Sequence, residues 1–158
     1  MTKDWTVVLV RHAEAVSTCD NPQRPLSIAG RQHAERMATW LREMRYRSEE
    51  VVHSDKLRAR QTAKILGQRL DIHPAKVHEI AGLGPGDDPL TMADGLEAER
   101  RSVMVVGHLP YMARLASTLL VGEPDRLQIR FFDAGTVVLS RGAGGWQLEA
   151  VVSHEMVP

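Results

Sequence analysis

Two four-residue runs constrain this chain more than any other feature: Val7-Val8-Leu9-Val10 and Val103-Met104-Val105-Val106 are apolar at every position. A strand with one wet face alternates apolar and polar residues, whereas a strand without a polar position is buried on both faces, as in a parallel sheet covered by helices. Each run stops abruptly in residues that carry chemistry. The first leads into Arg11-His12, within Leu9 to Ala15, and the second into Gly107-His108-Leu109-Pro110. Ligands of open α/β sheets sit outside the carboxyl ends of the strands, so Arg11, His12 and His108 are expected where a substrate binds. An Arg-His pair alone would also fit a surface arginine beside a hydrogen-bonded histidine, so the rest of the chain has to decide.

Between these runs the pattern repeats strand, turn, helix. Ala15 to Pro25 has loop composition, and Ser27 is an N-cap for a helix whose apolar stripe is Ala34, Met37, Ala38, Leu41 and Met44. His33 and Trp40 read as flanking or surface residues of that helix. A short strand, Val51 to His53, leads through Ser54, a second N-cap candidate, into a helix with Ala59, Ala63, Leu66 and Leu70 as its buried stripe. Arg58 and Arg60 flank that stripe on opposite sides, because two residues turn a helix by about 200°. Arg58 lies nearer the helix N-terminus, where the dipole and free amides favour an anion, and Arg60 is expected in solvent. Lys76 to Ile80 reads as a third strand and Ala81 to Pro89 as a Gly/Pro-rich loop that shapes a pocket rim or simply connects. A helix over roughly Pro89 to Arg100 follows, with Asp87 or Asp88 near its cap.

After a helix begun by Pro110, with Met112, Leu115, Ala116 and Leu119 on one face, the pattern changes. Leu127 to Phe132, Gly135 to Arg141 and Trp146 to Ser153 read as strands, the last two joined at Gly142-Ala143-Gly144-Gly145 as a hairpin. The expected fold is therefore a three-layer α/β/α domain with a mostly parallel mixed sheet and an antiparallel C-terminal portion. With 158 residues, 43% of them hydrophobic, residues 1–158 form one domain.

Charge and cysteine content narrow the function. Twenty basic residues balance 20 acidic ones, so no global field recruits nucleic acid or an anionic membrane, and any anion site must be local. Cys19 has no internal disulfide partner, and it stands in a polar loop without a motif. The N-terminal apolar run is too short for a signal peptide and no stretch is long enough to span a bilayer, so a cytoplasmic protein is expected.

Three βα junctions thus deliver Arg11 with His12, Arg58, and His108 to one edge of one sheet. Arginine offers a planar, permanently charged fork that binds phosphate bidentately, so two arginines at one cleft point to a phosphoryl group. A neutral imidazole among them can attack phosphorus through one ring nitrogen if a backbone carbonyl holds the other protonated, and neighbouring cations keep it neutral. A metal held by His12, His53 and His108 would have to sit beside two arginines, which is electrostatically poor.

These residues carry a resemblance. Leu9 to Ala15, LVRHAEA, resembles the R-H-G signature of the histidine phosphatase superfamily. Ser54 to Thr62, SDKLRARQT, resembles its S-x-x-x-R-A-x-Q-T element, and Gly107 to Pro110 its second-histidine element. The short chain and RPLSIAG, Arg24 to Gly30, resemble the small SixA-type phosphohistidine phosphatases in particular. The resemblance implies a phosphoglycerate mutase-like fold and a metal-independent phosphatase that works through a covalent phosphohistidine, without a cofactor. It implies His12 as nucleophile, Arg11, Arg58 and His108 as ligands of the phosphoryl oxygens, and Arg24 as a substrate-side contact. Its substrate would be a phosphorylated protein (phosphohistidine) or a small phosphorylated metabolite. A phosphomonoesterase or mutase with the same core, and a catalytically silent phosphate-binding module, are the alternatives.

Two departures stand out. Ala13 occupies the position of the signature's glycine, and a positive φ there would cost alanine about 1 kcal/mol and reduce activity. The chain also has no room for the insertion that supplies a general acid in many members, leaving Glu79, then Glu14, as the local candidates. A phosphoramidate tolerates that loss better than a phosphoester, because its leaving nitrogen accepts a proton more readily.

Overall fold

The computed structural model describes residues 4–158. Met1 to Lys3, where the N-terminal segment read above for a leader begins, lie outside the described residues. Six strands form one sheet in the order β3-β2-β4-β1-β5-β6. They are β1 (Trp5–Arg11), β2 (Glu50–His53), β3 (Val77–Glu79), β4 (Val103–Gly107), β5 (Thr136–Gly142) and β6 (Gly145–Val152). β1 pairs parallel to β4, β4 to β2 and β2 to β3, while β5 runs antiparallel to β1 and β6 antiparallel to β5. Among the described residues no helix is long and apolar enough to cross a membrane.

Strand pleating divides the two apolar runs between two cores. Val8, Val10, Met104 and Val106 face α1 (Ile28–Glu43) and α2 (Leu57–Arg69), where Met37, Ala38, Leu41, Ala59, Ala63 and Leu66 meet them. Val7, Leu9, Val103 and Val105 face α3 (Leu90–Glu99) and α4 (Tyr111–Val121), against Leu96, Met112, Leu115 and Leu119. All four residues of the first run are 0% exposed, so neither face of β1 tolerates a polar side chain. The three-layer expectation holds, with both layers of helix visible in one alternation.

Local rules explain the element ends. Ser27 Oγ accepts from Gly30 N at 2.9 Å, the N-cap expected for α1. Gly30 lies so close to the β1–α1 loop that a Cβ there would stand 2.0 Å from the Glu14 carbonyl oxygen, which fixes glycine in RPLSIAG. Asp88 Oδ1 accepts from Leu90 N at 3.0 Å to begin α3, while Asp87 closes its own loop by accepting from Gly84 N at 2.7 Å. The β5–β6 hairpin turns through Ala143-Gly144, and Gly145 takes φ +112°, a left-handed conformation that favours glycine.

Four expectations are corrected. Met44 leaves the α1 stripe: it is the C-cap residue and is exposed. Pro110 is the N-cap of α4 and precedes its first residue. Ser54 does not cap α2, which begins after Lys56, because its hydroxyl is engaged elsewhere. Leu127 to Phe132 is not a strand. Its Phe131 ring is buried, the Arg130 guanidinium lies 4.7 Å from the Phe132 ring centroid, and the Phe131 carbonyl serves Arg11 instead of a ladder.

Candidate active site

His12 follows directly on β1 and is held as though the sheet continued. Its N–H donates to the Gly107 carbonyl at 2.9 Å, and its own carbonyl accepts from Ala134 N at 3.3 Å. The ring is fixed through both nitrogens: Nδ1 lies 2.8 Å from the Ala13 carbonyl, and Arg58 Nε donates to Nε2 at 3.3 Å. A carbonyl can only accept and a guanidinium N–H can only donate, so the proton sits on Nδ1 and the lone pair on Nε2. Burial, followed by the charges of Arg58, Arg11 and Arg24, lowers the His12 pKa to about 4 against the opposing Ala13 bond. At neutral pH the ring is an uncharged base whose lone pair, on Nε2, accepts from Arg58.

The βα junctions bring the other residues around it. Arg11, the last residue of β1, donates from Nη1 to the Phe131 carbonyl at 3.1 Å, while its Nε is buried and has no partner among the described residues. Arg58, in the first turn of α2, faces His12, and burial with the charge of Arg24 moves its pKa down from the ordinary guanidinium value. His108 follows β4, with its ring centroid 5.1 Å from that of His12. Burial, then the neighbouring His12, Arg58 and Lys56, lower its pKa to about 4. Arg24 adopts φ +50° in the loop before α1, donates from Nε to the Val16 carbonyl at 3.1 Å, and acts electrostatically on both His12 and Arg58. Arg11, His12, Arg24, Arg58 and His108 thus form one electrostatically coupled cluster, and among the described residues none of them is in a salt bridge with a carboxylate.

Glu79 stands apart. It is exposed at the end of edge strand β3, three strand spacings, about 14 Å, from β1. It lines a cavity of about 510 Å³ with Ser54, Asp55, Lys56 and the loop after β3. Glu14, the second carboxylate considered, accepts from Ser27 Oγ at 2.7 Å and supports the α1 cap. Sequence reasoning missed Asp55, whose charge reaches both Arg58 and His108. Arg60 is exposed, as expected. His53 is buried with Nδ1 on the Ser54 carbonyl at 2.8 Å, and it lines a groove beside Arg60, Lys64 and Ile72.

Two further residues tie the signature loop to α2 and were not singled out from sequence. Ala13 N donates to Thr62 Oγ1 at 3.0 Å, and Thr62 Oγ1 donates to the Arg58 carbonyl at 2.8 Å. Leu26 N donates to Gln61 Oε1 at 2.7 Å. Ala13 itself is 0% exposed and is not among the residues with positive φ, so the strain expected at this departure from glycine is absent. Its methyl group packs with Leu26, Ala34, Ile65 and Ala134.

His33 and His154 also prove to have a partner. His33 Nδ1 lies 2.8 Å from Asp133 Oδ2, His154 Nδ1 lies 3.1 Å from the Asp133 carbonyl, and the two rings stack with centroids 3.7 Å apart. Asp133 Oδ2 accepts from Glu14 N at 3.2 Å as well, so the cluster braces the signature loop. The imidazole planes are within 13° of parallel, so their in-plane lone pairs do not converge on a cation.

Comparison with known proteins bears on the family and the fold. Residues 7–84 match the family model of the histidine phosphatase superfamily (branch 1). Phosphohistidine phosphatase SixA of Escherichia coli (strain K12) is 29% identical over 149 residues, covering 90% of this chain and 92% of SixA. The structure of protein histidine phosphatase SixA complexed with tungstate superposes with a TM-score of 0.83 at 27% identity, covering 94% of this chain and 97% of that one. Mycobacterial glucosyl-3-phosphoglycerate phosphatase shares the fold at 20% identity, with a TM-score of 0.68 and coverage of 94% and 98%.

Proposed function

Because the chain belongs to the histidine phosphatase superfamily and is a phosphatase, we propose that it works through a covalent phosphohistidine at His12 and acts on protein phosphohistidine. The observation that carries this reading is the state of the His12 ring, with Nδ1–H held by the Ala13 carbonyl and the lone pair on Nε2, where its one partner is the Arg58 N–H that a phosphoryl group can draw away. An entering phosphoryl group takes over the Arg58 donor now spent on Nε2. It also supplies an acceptor to Arg11 Nε and His108 Nδ1, two buried polar atoms without a partner among the described residues. Arg24 contacts the substrate side of the phosphoryl group.

In the first step Nε2 forms a bond to phosphorus while the bond from phosphorus to the leaving group breaks. Arg11, Arg58 and His108 hold the three oxygens as charge spreads over them. In the second, water attacks the phosphohistidine and the P–N bond breaks, returning neutral His12 and releasing inorganic phosphate. Among the described residues no carboxylate is among the groups that act on His12, which favours a leaving group whose nitrogen accepts a proton readily. A similar protein, SixA of Escherichia coli, is named a phosphohistidine phosphatase, and a SixA structure of the same fold is complexed with tungstate, a tetrahedral oxyanion.

The 510 Å³ cavity beside Ser54 and Glu79 keeps a small phosphorylated metabolite as the second reading, since that volume suits a small ligand. A substrate panel decides between them. Turnover of a phosphohistidine peptide well above that of sugar and aryl phosphates supports the first reading, and the reverse order supports the second. If wild type is no faster than His12→Ala on any of them, the catalytic reading fails and a phosphate-binding module takes its place.

A further inference from the structure

We propose that Ser54 is a positioning residue that holds the proton of neutral His108 on Nδ1, making that nitrogen the donor to the phosphoryl oxygens. This rests on the reading of the site given above. The observation is a short contact: Ser54 Oγ lies 2.6 Å from His108 Nε2, and both residues are 2% exposed or less. The neighbouring hydrogen bonds set its direction.

Ser54 Oγ accepts from Lys56 N at 3.3 Å, and the Ser54 carbonyl is held by His53 Nδ1 at 2.8 Å. The hydroxyl has one proton, and its available acceptor is His108 Nε2. If Ser54 donates, Nε2 is the acceptor and the single proton of the neutral ring resides on Nδ1. If Nε2 donated instead, the serine proton would be buried without an acceptor, and Nδ1 would present a lone pair with no donor. The first arrangement leaves one unpartnered group, Nδ1–H, and the second leaves two. A lone pair on Nδ1 would also repel a phosphoryl oxygen that Nδ1–H attracts.

Free neutral histidine in water prefers its proton on Nε2, so the protein has to select the other tautomer, and Ser54 is the group placed to do it. His12 obtains the same tautomer from the Ala13 carbonyl. The two rings are therefore set by different devices for different tasks: His12 presents a lone pair and His108 presents a proton. Ser54 stands at the head of the SDKLRARQT stretch, four residues before Arg58, so one segment supplies both a phosphoryl ligand and the group that orients another.

The test reads the tautomer directly. In protein labelled with 15N-histidine, two-dimensional NMR of the substrate-free enzyme at pH 7 is expected to show His108 protonated at Nδ1 and bare at Nε2. In Ser54→Ala that signature shifts toward Nε2–H, and kcat falls on the order of 100-fold, the low end of the scale for loss of one transition-state donor, while KM changes little. Ser54→Thr, which keeps the hydroxyl, restores both. Nε2–H in the wild type, or an unchanged tautomer in Ser54→Ala, overturns the proposal. The wild-type spectrum needs no substrate and no variant, so absence of a His12 phosphoenzyme with the Nδ1–H signature intact would overturn the catalytic reading alone.

Discussion

Replacing Thr62 by valine isolates the bond that ties the loop after His12 to the helix carrying Arg58. Thr62 is 0% exposed, and valine preserves its shape while removing the oxygen that accepts from Ala13 N at 3.0 Å. The Arg58 carbonyl loses only a supplementary donor, but the Ala13 N–H is left buried without a partner, at a cost of about 1–3 kcal/mol. A central value of about 2 kcal/mol lowers the melting temperature of a chain this size by roughly 4–8 °C. Ala13 also supplies the carbonyl that holds His12 Nδ1, so a loosened loop blurs the His12 ring and lowers kcat more than KM. Calorimetry and steady-state kinetics on Thr62→Val and Thr62→Ser check this together. The serine variant keeps the bond and is expected to lose only what a buried methyl group contributes, about 1 kcal/mol, with near-normal turnover. A valine variant as stable and active as wild type, or a serine variant equally impaired, refutes the reasoning.

Lowering pH should leave kcat/KM level until the His12 base protonates near its depressed value of about 4, well below the usual 6.5, once the substrate's own titration is corrected for. A midpoint near 6.5 would contradict it. The same depression at His12 and His108 leaves stability intact above about 6.5 and erodes it as pH falls toward about 4, because the unfolded histidines bind protons that the folded ones refuse; denaturant titrations at pH 7 and 4.5 in wild type and His108→Gln read the difference. Ala13→Gly restores the signature residue yet should destabilise by about 1–2 kcal/mol, from a lost buried methyl and a freer unfolded chain, since Ala13 is unstrained. A more stable glycine variant would show strain after all. Glu79→Gln is expected to keep kcat within about twofold, because edge strand β3 carries Glu79 three strands from His12, whereas an acid role predicts a loss nearer the 10²-fold scale of general acid catalysis.

What could be read from sequence is what short-range patterns encode. The two all-apolar runs specify strands covered on both faces, and a strand that ends in Arg11-His12 or Gly107-His108 specifies where those side chains emerge. Arg58 was placed by helix periodicity, and Ser27 by the chemistry of a helix start. Polar partners far apart in the chain were not legible. Leu127 to Phe132 alternates like a strand, yet its Phe131 carbonyl bonds Arg11, 120 residues away. Ser54 resembles an N-cap, but its hydroxyl bonds His108, 54 residues on. His33 looked like a surface residue until Asp133, 100 residues distant, closed on it. Ala13 misled for a different reason: the glycine of a signature implies a backbone conformation, and here the backbone stays in the region open to alanine while the methyl group fills a small core.

The central claim is that His12 Nε2 becomes bonded to phosphorus. Brief incubation with a labile phosphoryl donor, followed by quenching and peptide mass spectrometry, should place one phosphoryl group on His12, acid-labile and base-stable, in wild type and none in His12→Ala. Phosphate release from wild type with no phosphoenzyme at His12, or an equal phosphoenzyme in His12→Ala, would contradict the account.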